Sequence, residues 1–521
     1  MGEGLRGTTS PTGPTSSAAR VADDAMADLA ARTGTRSGPR LRLRFSERRV
    51  LLTILDLGAL SCGLVLAQGL RLGLHFDWTL PLRRPGWFAV LALIWLIMAP
   101  TFDAYEPRIA RHLGPSVGAA VKAGLLTSVL YVIIPYVTPP LPASRFELVM
   151  FPFLISAVLA AERTIHTFVF PRPAFRQPTL ILGTGRAAHL IAEALAEVGD
   201  DSYRVLGFVA SDSHADGVAY RTAEDASPEA ALPNVLGAEG RLPPPILGAR
   251  GDLMRLVERY EVSALILATT QRVDSVLLQT LVECVERGVE VIPMAVLYER
   301  LTGRVPVEHV HEDWYVALPV EQLTHSTVRL VTKRALDVVL AGFGLMCLAL
   351  LLPFIALAIR LDSRGPIFYV QERIGVGGRI FRTYKFRSMI VGAEQNGAVW
   401  AQAGDPRVTR VGRFLRASHI DEFPQFVNVM KGDMSAVGPR PERPEFVERF
   451  AAELPLYRLR HVVKPGMAGW GLIRQGYAAT EQDVLVRLQY DLYYIKHQSV
   501  WLDVIILLKT LAHALALRGR W

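Results

Sequence analysis

Between Asp337 and Arg360 the chain runs for 22 residues without a charge, VVLAGFGLMCLALLLPFIALAI. A helix of ~20 such residues is enough to cross the hydrocarbon of a bilayer. Two features set the expectation that this one enters without crossing. Lys333 and Arg334 stand before it and Arg360 and Arg364 after it, and basic flanks are retained on the cytoplasmic side. Pro353 lies two thirds along, where its ring clashes with the preceding turn and removes the bond to residue 349, so a kink is expected. A re-entrant helix over 337–360 satisfies both. The alternative is a fifth transmembrane helix with a tolerated proline, which would leave everything after it outside the cell.

Upstream, four apolar stretches at about 50–70, 87–102, 116–137 and 146–161 read as a four-helix transmembrane bundle within 46–165, the second and fourth being short. Arg40, Arg42, Arg44, Arg48 and Arg49 precede the first stretch as a cytoplasmic collar, while residues 1–45 are expected to be a disordered cytoplasmic tail. Asp56 and Lys122 are charges within the apolar stretches and are expected to snorkel or to pair between helices. Cys62, Cys284 and Cys347 are far apart and form no metal-ligand or disulfide pattern, as suits a reducing compartment.

Residues 175–310 look different. TLILG at 179–183, the glycine turn GTGRAA at 183–188 and a helix over 187–198 follow the strand, turn, helix order of a nucleotide fold. Apolar runs at 203–209, 262–269 and 289–293 alternate with helical stretches at 251–260 and 273–287, which gives a Rossmann-like, doubly wound α/β module. The nearest acidic candidate for a ribose, Asp212, is 29 residues after Gly183 rather than about 20, so a regulatory or structural module is favoured over a bound nucleotide.

Half of the 521 residues are apolar and 20% are charged, yet the formal charge is +8. That surplus is local. Residues 331–521 carry 26 Lys and Arg against 16 Asp and Glu, whereas everything before is slightly acidic. From Arg373 to Arg416 there are nine basic residues and two acidic ones, Glu394 and Asp405, an anion-binding surface next to a membrane segment. Its few aromatics (Phe381, Tyr384, Phe386) and its place at the membrane exclude a nucleic-acid partner.

The region after the re-entrant segment contains QERIGVGGRIFRTYKFRSM (371–389), DPRVTRVGRFLR (405–416), SHIDEFPQFVNVMKGDMSAVGPRPERPEFV (418–447), KPGMAGWGLIRQGY (464–477) and LQYDLYYIK (488–496). Over 331–521 this resembles the bacterial sugar transferases, the monotopic polyprenyl-phosphate phosphoglycosyl transferases. The upstream bundle and α/β module resemble the large members that initiate exopolysaccharide, capsule or O-antigen synthesis. The resemblance implies a mainly α catalytic domain that transfers a sugar 1-phosphate from a UDP-sugar to undecaprenyl phosphate and releases UMP. It implies Asp421 as the nucleophile forming an aspartyl phosphosugar, Glu422 as its dyad partner, and Mg²⁺ bound by Asp421 and Glu422. A carboxylate nucleophile is expected to be ionised at neutral pH without help. Arg416 and Arg440 match phosphate-binding arginines, Pro439 and Pro441 of the Pro-Arg-Pro turn are counted with Arg440 as substrate-binding, and Lys385 and Arg387 are the next substrate-binding candidates.

Taken alone, an Asp-Glu pair is an ordinary solvated helix start; its setting between the arginine block and the Gly438-Pro439-Arg440-Pro441 turn is what raises it. Departures from the family pattern are Leu352 before Pro353, His419, Met467-Ala468 and Arg474. His419 is expected to pack at an interface, or, with an ordinary pKa, to make activity depend on pH. The last stretch, 498–521, reads as an interfacial or core-packed apolar helix. Further partners are membrane lipids, downstream glycosyltransferases and a second copy in a homodimer, at the cytoplasmic face of the bacterial inner membrane. Two rival functions are a membrane-tethered nucleotide-sugar dehydratase or epimerase and a non-catalytic nucleotide-sugar-sensing scaffold. None of the 15 tyrosines has Lys four residues on, which removes the usual dehydratase pair, and the scaffold leaves the block around Asp421 unexplained.

Overall fold

The computed structural model describes residues 45–110, 112–134, 136, 138–140, 144–169, 177–198, 203–211, 245–269, 274–307, 327–393, 405–476 and 480–515. The tail with Arg40 to Arg44, and Asp212, lie outside these residues. The chain forms two compact units, one from Phe170–Met294 and one from Ser46–Val169 with Ala295–Trp521.

In the first unit, β1 (Gln177–Leu182), β2 (Tyr203–Ala210), β3 (Ile246–Ala249), β4 (Ala264–Leu267) and β5 (Glu290–Pro293) form one parallel sheet in the order β3-β2-β1-β4-β5. Leu180, Ile181 and Leu182 are fully buried, as a central parallel strand covered on both faces requires. Asp274 caps the helix Ser275–Glu286, its side chain accepting from Leu277 N at 2.7 Å, and Leu277, Leu281 and Cys284 pack against β1 and β4 residues. β3 was not expected: its four residues, one of them Gly, carry too little alternation to read as a strand.

The second unit begins with the helices Phe45–Arg71, Pro85–Thr101, Leu113–Ile133 and Arg145–Val169. Leu60, Leu64, Leu91, Trp95, Ala120, Ile155 and Leu159 fill the space between them. Asp56 is no snorkelling charge: it accepts from Arg163 at 2.7 Å, with both side chains wholly buried, and ties the first helix to the fourth. Lys122 is exposed. By length and composition Arg49–Arg71, Leu113–Ile133, Arg145–Phe168 and Thr327–Asp362 are each sufficient to cross a membrane, whereas Pro85–Thr101 has 17 residues.

The long apolar helix starts at Thr327, ten residues before the expected boundary, and continues as one helix through Pro353 to Asp362. The apolar part of the helix is held on both sides by the same folded region. Asp337 accepts from Ser435 Oγ and Ala436 N, each at 2.8 Å, and Asp362 accepts from Val411 N at 2.9 Å. Between these anchors Val339, Phe343, Met346, Leu350, Phe354, Leu357 and Leu361, spaced at three and four residues, form one exposed apolar stripe.

After it come the antiparallel hairpin β6 (Phe368–Ile374) and β7 (Ile380–Phe386), the helix Arg410–Ala417 capped by Thr409, and a 3₁₀ turn Ile420–Gln425. β8 (Ser435–Val437) pairs in parallel with β9 (Gly466–Ala468), and the helices Pro444–Glu453, Trp470–Gln475, Glu481–Lys496 and Val500–Leu515 complete the unit. The last helix is core-packed, with Asp503, Ile506 and Lys509 buried.

Candidate active site

The helix Arg410–Ala417 ends where His419 adopts a left-handed conformation, φ 59°, and redirects the chain into the 3₁₀ turn carrying Asp421 and Glu422. In a 3₁₀ turn neighbouring side chains diverge by about 120°, more than the 100° of an α-helix, so the two carboxylates face different surroundings. Glu422 is buried, and its Oε1 accepts from Lys385 Nζ at 2.7 Å and from Arg440 at 3.0 Å. These two cations hold the Glu422 carboxyl far below its usual range against the opposing effect of burial. Asp421 is half-buried; burial first, and then the Glu422 charge, push its carboxyl up to about 7 despite Lys385, Arg416 and Arg440 nearby. It is therefore only partly ionised at neutral pH, contrary to the expectation for a simple carboxylate.

All four of these residues open onto one cavity of about 700 Å³, which also takes in Arg373, Arg387, Arg416, His419 and Glu442. Lys385 comes from β7, Arg416 from the last turn of its helix and Arg440 from the turn after β8. Burial lowers the pKa of Lys385 and of His419; at His419 the Glu422 charge opposes this, and Arg440 and Lys385 add to it. The His419 Nδ1 is buried without a hydrogen-bond partner among the described residues.

Three residues singled out by sequence serve the frame. Arg387 lines the cavity, but its guanidinium donates to Ser363 O at 2.7 Å, Ser363 Oγ at 2.9 Å and Arg364 O at 3.2 Å, just beyond the end of the long helix. Pro439 accepts from Gly466 N at 2.9 Å and Pro441 from Arg373 at 3.0 Å, so the two prolines fix the turn that aims Arg440.

Sequence reasoning missed the far wall of the cavity, formed by Arg443, Tyr457, Arg460 and Arg487. Arg460 pairs with Asp491 at 2.8 Å and donates to Arg440 O at 3.1 Å. The available signal was helical spacing: Val484, Arg487, Leu488 and Asp491 recur at i, i+3, i+4 and i+7, which puts two charges on a buried face.

Among the described residues no three or more His, Cys, Asp or Glu are grouped as metal ligands. Asp421 and Glu422 alone are a sparse carboxylate set, of the kind that suits Mg²⁺ entering with substrate phosphates. In the first unit, a side chain at Gly183, φ 121°, would come within 2.8 Å of Ala268 O, so the first glycine of the GTGRAA turn is required by close passage of the backbone just after β4.

A membrane protein with a cation-lined cavity around an Asp-Glu pair is the class that these features define. Residues 328–516 match the family model described as bacterial sugar transferase. The chain is 44% identical over 231 residues to a UDP-N-acetylgalactosamine-undecaprenyl-phosphate N-acetylgalactosaminephosphotransferase of Aeromonas hydrophila, covering 44% of this chain and 53% of that protein. It is 42% identical over 195 residues to a UDP-glucose:undecaprenyl-phosphate glucose-1-phosphate transferase of Escherichia coli, covering 37% and 42%. With a protein of the latter name from Caulobacter vibrioides it shares 43% identity over 180 residues, 34% of this chain and 67% of the relative. The chain thus spans about half or less of the first two relatives, and two thirds of the third. It belongs to the bacterial sugar transferase family.

Proposed function

We propose that this protein transfers a sugar 1-phosphate from a UDP-sugar to undecaprenyl phosphate, giving the diphosphate-linked sugar and UMP. The observation that carries the reading is the Glu422 carboxylate clamped between Lys385 and Arg440 beside Asp421, in a cavity where cations far outnumber acids. The names of the relatives support the same acceptor and both glucose and N-acetylgalactosamine donors.

In the first step an Asp421 oxygen attacks the phosphorus that bears the sugar, the bond from that phosphorus to the bridging oxygen breaks, and UMP leaves with the electron pair. In the second, a phosphate oxygen of undecaprenyl phosphate attacks the same phosphorus and Asp421 departs as carboxylate. Positioning and charge neutralisation dominate phosphoryl transfer, so Lys385, Arg416 and Arg440 act by holding phosphate oxygens in line. Mg²⁺ would be held by Asp421 and Glu422 with donor phosphate oxygens, and would supply positive charge to the diphosphate.

The acceptor is a lipid, and the long helix supports its delivery. Asp337, ten residues into the helix, and Asp362, at its last residue, are bonded to one folded region on either side of the apolar stripe, which favours a re-entrant helix with both ends on the cytoplasmic side of the inner membrane and its stripe in lipid. The four preceding helices then act as the transmembrane bundle. The strand order of the first unit is that of a doubly wound nucleotide fold, and the packing role of Gly183 favours a structural or regulatory module over a nucleotide site.

The test uses a UDP-sugar radiolabelled in the phosphate next to the sugar, with Mg²⁺ and no lipid acceptor. Wild-type protein should acquire covalent label and release UMP in a single burst, and Asp421→Asn should do neither. Normal turnover by Asp421→Asn would refute the mechanism. Running the assay across UDP-glucose, UDP-galactose and their N-acetylated forms identifies the donor.

A further inference from the structure

Arg474, a departure from the family pattern, is not part of the cavity. Its guanidinium reaches across to the short stretch after the second apolar helix, donating to Glu106 at 2.8 Å with Asp103 at 3.5 Å. Lys509, from the last helix, pairs with the same Asp103. Both cations lie over the ring of Trp470, at 4.5 and 6.0 Å from its centroid. Trp470 is buried, and its Nε1 donates to Gly303 O at 3.3 Å.

The stretch 103–106 is fixed equally firmly from the other side. Tyr105 Oη accepts from Trp95 Nε1 at 2.9 Å, and the Arg163 guanidinium of the buried Asp56 pair lies 5.5 Å from the Tyr105 ring. Asp103 itself is left-handed, φ 58°, a region that Asp enters more readily than most residues. From Trp470 the path to the reaction centre is short. Gly469 and Ala468 precede it, Gly438 N donates to Ala468 O at 2.9 Å, and two residues on is Arg440, bonded to Glu422.

We propose that residues 103–106 form a docking joint by which the membrane helices position the catalytic residues, with Arg474 and Lys509 as its cationic half and Trp470 as its floor. The helices before residue 169 are then more than an anchor, and Arg474 is a positioning residue that acts on Arg440 through β9 and the Gly438 turn. The catalytic part of the proposal rests on the function proposed above; the docking part does not.

Two measurements on the full-length protein in lipid nanodiscs separate these parts. A carbodiimide should join Lys509 to Asp103 as a zero-length amide, seen as a cross-linked peptide pair by mass spectrometry and lost in Asp103→Asn. Absence of this pair in the wild type overturns the joint, whatever the enzyme does. For the catalytic part, Arg474→Gln and the double variant Asp103→Asn/Glu106→Gln should each lower kcat for UMP release by about tenfold, with KM for the UDP-sugar within about twofold, since a small misplacement at a distance costs rate rather than ground-state binding. Because both break one contact, combining them should lower kcat no further, and Arg474→Lys should recover part of it. Full-rate turnover by these variants, or multiplicative losses on combination, overturns the positioning role. A loss of cooperative unfolding in Arg474→Gln would leave Arg474→Lys and the loop variant to decide. No UMP release by wild type from any UDP-sugar refutes the proposed function and leaves the cross-link to judge the joint.

Discussion

Lys385 donates to Glu422 across 2.7 Å, from β7 to the 3₁₀ turn, with both side chains largely buried. Arg440 shares the same oxygen. Removing the acid strands two cations away from water, and breaking a buried pair from one side costs about 3–5 kcal/mol. Glu422→Gln should therefore lower the melting temperature, and adding Lys385→Met should restore part of it by deleting one of the stranded charges. Neither variant should turn over at more than about one hundredth of the wild-type rate, the loss typical of a removed transition-state contact. Equal melting temperatures for wild type and Glu422→Gln would count against the clamp.

Asp421 sets a pH dependence with a definite sign. Its carboxyl is raised to about 7 by burial and by Glu422, and the proposed attack needs the ionised form. Covalent labelling should rise as pH increases through about 7, and a flat rate between pH 5.5 and 8.5 would exclude Asp421 as the titrating nucleophile. Stability runs the other way. A carboxyl whose folded pKa lies above its unfolded value favours the fold below the unfolded pKa, and that benefit is lost as pH rises through the folded one. Asp421→Asn should match wild type near pH 3 and melt several degrees higher at pH 8.5, since a carboxyl moved from its usual range to about 7 is worth up to about 4 kcal/mol.

The elements with a strong period were legible in the sequence. The apolar helices, four of the five parallel strands and the block holding Asp421, Glu422 and Arg440 follow from apolar runs and motif spacing. The rest depends on contacts distant along the chain. Arg387 looked like a phosphate ligand because the residue type and its neighbours fit; only the fold shows that its two terminal nitrogens also donate to Ser363 and Arg364. Arg460 and Arg487 reach the cavity from segments whose local pattern says only that they are buried. Asp337 read as the charged edge of the apolar run, yet it is a buried acceptor ten residues inside the helix.

Arg387 has an expected outcome of its own. If it caps the carbonyls after the long helix, Arg387→Gln should destabilise by about 1.5–3 kcal/mol, the range for a hydrogen bond involving a charged group, and Arg387→Lys should not rescue it, since one ammonium cannot span Ser363 O and Arg364 O in that fork. Thermal unfolding measures the first. UDP-sugar KM, expected within about threefold of wild type, separates a cap from a substrate ligand.

The re-entrant reading is tested by thiol labelling at both ends of the helix. Single cysteines at Val328 and Arg364, in a chain lacking Cys62, Cys284 and Cys347, should both be modified by a membrane-impermeant maleimide in inverted inner-membrane vesicles and neither in intact cells. Opposite sidedness of the two positions would make the helix a crossing one.

Gly438 links the frame to the chemistry. A side chain there would come within 2.4 Å of Lys464 O and 2.9 Å of Gly466 N, both backbone atoms of the chain it packs against. Neither can move aside without shifting β9, because Gly438 N also donates to Ala468 O and Pro439 O accepts from Gly466 N. Gly438→Ala should cost about 1–3 kcal/mol, as overpacking does, and should displace Arg440 two residues on. The displacement makes the loss of turnover, on the order of 100-fold, larger than the loss of stability implies. Gly118→Ala, whose added methyl meets nothing within 4 Å, is the control and should leave turnover unchanged. A Gly438→Ala protein that melts lower but turns over normally would separate the turn from catalysis and remove Arg440 from the transition state.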